Sequence, residues 1–178
     1  KDFKLIGKRI PRKDSPDKTT GKAVFTQDIH LPGMLTAAVA HPPLFGAKVK
    51  SFDAGKARAV KGVVDVVQIP SGVAVLGHDT WSAKKGRDEL VVEWDESAAF
   101  KLGSAEIMAR YREAAKAPGV VARKEGDADQ ALTAATRKFE ASFEFPYLAH
   151  AAMEPMNCVV RLNKDGTCEM WNGEQMHT

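Results

Sequence analysis

The 178-residue sequence contains only two cysteines, Cys158 and Cys168. Two thiols define neither a disulfide framework nor a complete cysteine metal site. They lie on neighbouring candidate strands, so pairing is geometrically open, but two buried free thiols are the expectation. Long apolar runs are missing too: nothing approaches the roughly eighteen residues of a membrane span. Charge of one sign is scarce. The net charge is +3, and Lys and Arg alternate with Asp and Glu through most of the length, which excludes the basic stripe that nucleic acid requires. The glycines in GDADQ and SGVAVLG lack the spacing that cradles a diphosphate at a helix N-terminus. The opening KDFKLIGKRIPRKDSPDKTTGKA has no Met, no hydrophobic stretch and no cleavage site, so Lys1 reads as the edge of a piece excised from a longer chain.

What is present is a soluble-type composition, 44% hydrophobic and 28% charged, enough for one ordinary domain or two small ones. Residues 1–21 are polar and turn-rich and read as an extended arm. The alternation in MLTAAVAH (34–41) predicts a strand, ended by Pro42 and Pro43. GAKVKSF (46–52) is a second. Asp53 is placed to cap a helical turn, AGKARAV, that Gly62 closes. The β-branched runs VVDVVQI (63–69) and GVAVLG (72–77) follow as strands. Asp79 or Thr80 caps a helix WSAKKGRDE, and LVVEW (90–94) is the next strand. This order argues an α/β unit of about 75 residues. Ser104 is the expected cap of an amphipathic helix over 104–116, with Ile107, Met108 and Tyr111 on its apolar side. Ile107 occupies the third helical position, so a capping box is not expected. Asp127 or Asp129 caps a further helix, ADQALTAATR.

The cleanest alternation comes next. Phe139, Ala141, Phe143 and Phe145 face one way, and Lys138, Glu140, Ser142 and Glu144 the other, which predicts a half-buried strand. It runs into YLAHAAMEPMNC (147–158). CVVRLN and TCEMWN then flank Lys164-Asp165-Gly166 as a hairpin. The second domain reads as cut within itself, and this hairpin has few partners left in the chain.

His150 and Glu154 stand four apart, a spacing that shares one helix face. With Pro146 before and Pro155 after, and no second His, they form no metal site; hydrogen bonds that fix a loop turn are their expected role. His30, His41, His78 and His177 are isolated, and Trp81, Trp94 and Trp171 are assigned to core packing. No general base, nucleophile and oxyanion site can be assembled from these residues, so no catalytic and no metal-ligating residue is expected in the chain.

Several stretches, in order, resemble the large subunit of xanthine dehydrogenase/aldehyde oxidase-type molybdenum hydroxylases, above all the isoquinoline 1-oxidoreductase beta-subunit branch. The opening 35 residues, with Arg9–Arg12, Lys18–Gly21, Phe25–Asp28 and Leu31-Pro32-Gly33-Met34, resemble the entry into that family's α/β hammerhead domain. Pro43–Asp53, KGVVDVV and HDTWSAKKGRDELVVEWDE resemble its continuation. YLAHAAMEPMNC with WNGEQ (171–175) resembles the start of the molybdopterin-binding part.

The resemblance implies an α/β (α+β) fold: an arm (1–21), the hammerhead domain (22–97), a helical linker (98–136) and the first strands of a truncated molybdopterin-binding domain (137–178). It implies oxidative hydroxylation of an N-heterocycle or aldehyde with water as oxygen source. The cofactor would be molybdopterin, as its cytosine dinucleotide, in the intact subunit, with none held by this piece alone. Electrons would leave through a small partner subunit with 2Fe–2S clusters. The remainder of the large subunit is the other implied partner, and self-association of the piece is an expectation. Neither nucleic acid nor a membrane span is implied. Gln175 matches a glutamine near the cofactor channel, with Glu174 in place of the usual threonine. His150 and Glu154 match residues that shape the turn leading to the cofactor. Leu148 stands where relatives carry a glutamine that bonds a molybdenum oxo ligand, and leucine makes no such bond. The glycine-rich cofactor loops and the base glutamate are expected beyond Thr178, so the piece alone is expected to be inactive. A twin-arginine signal in relatives implies the periplasm, with the cytoplasm as the alternative location. The competing readings are a non-enzymatic α/β interaction or scaffold domain and a small stand-alone metalloenzyme.

Overall fold

Among the described residues every strand is short, and their pairing is antiparallel. The computed structural model describes residues 2–173. These form two compact units, one of the residues up to Met34 together with those from Ala149 onward, the other spanning Leu35–Leu148.

In the first unit the amino-terminal arm is not extended throughout. Helix α1 covers Ser15–Thr19, with Pro16 in its first turn. Asp14 ties it down, pairing with Lys18 at 2.7 Å and with Arg12 at 2.9 Å. The Lys18 ammonium, then the Arg12 guanidinium, lower the Asp14 carboxyl to about 2. A single 3-10 turn follows at Thr26–Asp28.

The second unit holds the main core. Strands β1 (Thr36–Ala40), β2 (Lys48–Asp53), helix α2 (Gly55–Ala59), β3 (Val63–Ile69), β4 (Gly72–Gly77), helix α3 (Thr80–Asp88) and β5 (Val91–Asp95) follow in order. The sheet order is β1-β4-β3, with β2-β5 as a separate ribbon that carries an irregularity between Val49 and Ser51. Ala57, Val66, Val73 and Val75 are buried together, and Val49, Phe52, Leu90 and Val92 pack on them. Asp79 caps α3 by accepting the Ser82 N–H at 2.8 Å. Asp53 does not cap α2 as its first flanking residue. Ala54 takes that place, and Asp53 Oδ1 accepts the Gly55 N–H at 2.8 Å.

Helix α3 packs on the sheet through Ser82, Ala83 and Gly86. A Cβ at Gly86 would stand 2.6 Å from a Val63 methyl and 2.8 Å from a Val75 methyl, so only glycine permits this approach. The opposite helix face carries Trp81, which is 64% exposed with Lys85 over its ring at 5.0 Å. Its assignment to the core is therefore corrected: the step from Trp81 to Ser82, about 100° around the helix, puts the small residues on the sheet and the indole in water.

Helices α4 (Ser104–Ala114) and α5 (Ala128–Ala134) bury no residue. Gly103, not Ser104, precedes α4, and Glu106 reaches back to accept the Gly103 N–H at 2.9 Å. The capping geometry excluded by counting from Ser104 is thus half realised one residue earlier. Asp127 caps α5 through the Gln130 N–H at 3.0 Å.

The strand expected over 138–145 does not form. Phe139, Phe143 and Phe145 are 87%, 77% and 78% exposed. A strand needs a hydrogen-bonding neighbour, and among the described residues none lies beside this segment. The carboxy-terminal hairpin, β6 (Cys158–Leu162) and β7 (Cys168–Asn172), forms as expected, with Arg161 ion-paired across it to Glu169. Its register sets Cys158 opposite Asn172 and Cys168 opposite Leu162. The thiols sit at opposite ends, roughly 13 Å apart at the usual strand rise, and cannot bridge. Both are free, and both are exposed rather than buried.

Candidate cofactor-facing motif

Tyr147–Cys158 is loop until β6 begins, so His150 and Glu154 do not share a helix face. The two prolines would allow about two helical turns between them at most, and none forms. Ala151 takes a left-handed conformation, φ 46°, which sends the chain sharply round directly after His150. His150 is exposed, as are Met153 and Met156.

Glu154 is different. It is half-buried, and its Oε1 accepts two hydrogen bonds, from the Gln27 backbone N–H at 3.1 Å and from Asn157 Nδ2 at 3.1 Å. Asn157 Nδ2 also donates to the Pro155 carbonyl at 2.7 Å, closing the Glu-Pro-Met-Asn turn. The other carboxylate oxygen lies 3.9 Å from where a Cβ on Gly173 would be. One side chain therefore meets the 3-10 turn and the motif's own loop. Strand β6 packs against the same turn, and Thr26 is buried there.

Gln175, the expected cofactor-binding residue, and His177 lie outside the described residues. Leu148 is 81% exposed. Among the described residues no three His, Cys, Asp or Glu side chains gather as a metal site, and no helix is long and apolar enough to cross a membrane. His41 Nδ1 lies 3.0 Å from the Ser71 carbonyl, a contact between β1 and the β3–β4 turn remote from the motif in sequence.

Residues 113–178 match the molybdopterin cofactor-binding domain family. Isoquinoline 1-oxidoreductase subunit beta of Brevundimonas diminuta is 33% identical over 187 residues, covering 99% of this chain and 24% of that protein. The chain belongs to the xanthine dehydrogenase/aldehyde oxidase family. A second relative of this xanthine dehydrogenase/aldehyde oxidase chain is the membrane-bound aldehyde dehydrogenase [pyrroloquinoline-quinone] of Gluconacetobacter polyoxogenes. It is 32% identical over 183 residues, covering 97% of the chain and 24% of that protein. The chain thus spans about a quarter of the length of these curated relatives. The fold matches the crystal structure of quinoline 2-oxidoreductase from Pseudomonas putida 86, with TM-score 0.62 and 18% identity over 96% of this chain and 27% of that one. The mixed α/β architecture with open sheets is that of the family's hammerhead and molybdenum-binding domains.

Sequence reasoning missed Gln27, because its contribution to the motif is a backbone N–H and no side-chain pattern announces it. The available signal was the short turn itself. Asp28 Oδ2 accepts the Phe25 N–H at 2.8 Å, and a helical turn started this way leaves its next N–H groups seeking an acceptor.

Proposed function

We propose that this chain is part of a molybdenum hydroxylase large subunit, which hydroxylates an N-heterocycle or an aldehyde with oxygen from water and passes electrons to a partner subunit carrying 2Fe–2S clusters. The observation that carries this reading is the 33% identity along 99% of the chain to a beta subunit named for isoquinoline oxidation. The aldehyde alternative rests on the name of the second relative. We further propose molybdopterin cytosine dinucleotide as the cofactor, the periplasm as the location, and the arm, hammerhead, linker and cofactor-domain divisions at 1–21, 22–97, 98–136 and 137–178.

The described residues do not by themselves fit a molybdopterin. The exposed side chains between His150 and Met156 offer one ring nitrogen donor and two methionines, whereas a phosphate-bearing pterin needs a row of donors. No step of the reaction is therefore assigned to these residues. Their proposed part is to form a wall: Glu154 holds the loop in shape from behind, His150 stands exposed and makes, among the described residues, none of the turn-fixing hydrogen bonds expected of it, and Gln175 meets the cofactor.

The test is to express the intact protein with its iron–sulfur subunit and measure molybdenum, the bound pterin nucleotide and dye reduction by isoquinoline, nicotinate or an aldehyde. About one molybdenum per large subunit and turnover of one substrate class are expected. A correctly folded complex that binds neither molybdenum nor pterin would end this reading. Cell fractionation settles the location.

A further inference from the structure

We propose that Glu154 is a positioning residue that makes the Thr26–Asp28 turn a working part of the cofactor-side module, although that turn lies at the other end of the sequence. The proposal deepens the reading above and rests on it for its functional consequence.

The first N–H groups of the turn have no helical carbonyl to take them, and two of them find carboxylates. Phe25 N–H goes to Asp28 within the turn, and Gln27 N–H goes to Glu154. The in-turn bonds are those of Asp28 N–H to the Phe25 carbonyl and Ile29 N–H to the Thr26 carbonyl. Of these bonds the Gln27 one leaves the turn, and it ends on the side chain that also accepts from Asn157. A charged acceptor shared by two N–H groups is stronger than a neutral one. The Gln27 bond is exposed and the Asn157 bond part-buried, and buried Thr26 keeps the turn against β6.

The consequence falls on the loop before Glu154. Between left-handed Ala151 and Glu154 the chain presents an exposed Met153, with His150 immediately before. That loop is anchored at its carboxy-terminal end by the Glu154 bonds and then by β6. Loss of the carboxylate frees both the loop and the amino-terminal turn, which then move as separate pieces. Glutamine at this position keeps an oxygen that accepts from both donors, so it preserves the clamp, whereas alanine abolishes it.

The experiment uses the full-length protein with its iron–sulfur partner and reads hydrogen exchange in peptides covering 22–34, 63–77 and 149–157, together with molybdenum content. Glu154→Ala is expected to speed exchange in 25–29 and 149–157 roughly tenfold to a hundredfold and leave 63–77 unchanged. Glu154→Gln is expected to restore most of the wild-type protection, short of the part that the charge supplies. Gln27→Pro removes the donor from the other side and, as the second residue of the turn, also disfavours the helical conformation of Thr26 before it, so it is expected to loosen 25–29 at least as much as Glu154→Ala and to loosen 149–157 as well. At 25–29 the double variant Gln27→Pro/Glu154→Ala should be no looser than Gln27→Pro alone, because the one bond that joins the turn to Glu154 cannot be lost twice. Molybdenum content should fall in Glu154→Ala and return in Glu154→Gln. Unchanged exchange at 25–29 in Glu154→Ala, additive effects in the double variant, or Glu154→Gln behaving as Glu154→Ala would each overturn the proposal. A wild-type complex without molybdenum overturns the functional reading alone, since the exchange pattern stands without the metal.

Discussion

The segments 63–77 and 138–145 are both written in strand language, yet only the first is a sheet. In VVDVVQI and GVAVLG, strand β4 is paired on both sides, and Val73 and Val75 are fully buried under α2 and α3. In KFEASFEF the alternation is cleaner, and all three phenylalanines stand in water. The difference teaches that alternation states which face must be covered and is silent on what covers it. Between these extremes lies the hairpin at 158–172, paired strand to strand but covered on part of one face by a 3-10 turn. Its local order comes from the turn: Asp165 accepts from the Thr167 N–H and hydroxyl, and these bonds hold its carboxyl below the usual range.

The sharpest way to break the comparison is to open a cavity in the covered region. Val75→Ala is expected to cost about 2–3 kcal/mol in urea denaturation. Exchange in 158–172 should stay unchanged at denaturant levels below the transition. If the hairpin loosened in step with 63–77, the two regions would be one cooperative structure and the contrast would fall. Gly86→Ala comes next. Alanine is the better helix former by about 1 kcal/mol, but its methyl meets two valine side chains inside 3 Å, and a net loss of about 1–2 kcal/mol is expected from overpacking. A stabilised Gly86→Ala would show that α3 does not rest on the sheet as described.

A smaller effect is the pH dependence of the α3 cap. Hydrogen bonds from the Ser82 backbone and hydroxyl lower the Asp79 carboxyl below its ordinary 3.8. A lowered folded value means that the contribution is present in full above the unfolded value and is lost as pH falls through the folded one. The denaturation midpoint of Asp79→Asn should therefore fall less steeply than wild type as pH drops below about 4. Parallel curves would remove Asp79 from the account. The smallest stability change belongs to the uncovered segment. Replacing Phe139, Phe143 and Phe145 together by Ser should move stability by less than about 0.5 kcal/mol, while self-association of the 178-residue chain, read by size-exclusion chromatography with light scattering, should fall. A large loss of stability would mean that these rings are covered after all.

Much of the α/β unit was legible because its signals are local. The Asp79 and Asp127 caps each lie three residues from the N–H they accept, and Val63–Ile69 and Gly72–Gly77 are joined by a turn too short to allow another pairing. Errors arose where a neighbour one step away decided. Gly103 leads α4 because the Glu106 carboxylate reaches its N–H, and a count started at Ser104 cannot see that. Trp81 faces water because Ser82, Ala83 and Gly86 are the residues small enough to lie on the sheet. The cysteines are separated by register, and register is a property of the hairpin as a whole. Of the candidate site, the sequence offered Glu154 as a loop-fixing residue but gave no hint of its partner.

By itself the sequence determined the elements whose hydrogen bonds close within a few residues: the caps, the hairpin turn and the β3–β4 pair. It also determined the family, because the ordered motifs survive as a pattern of residues. Only the tertiary structure decided that the Gln27 N–H meets Glu154, 127 positions away, and that the phenylalanines of 139–145 stay uncovered. The physical reason is the same in both cases. A backbone N–H and an apolar face each require a partner, and neither carries any mark of where along the chain that partner lies.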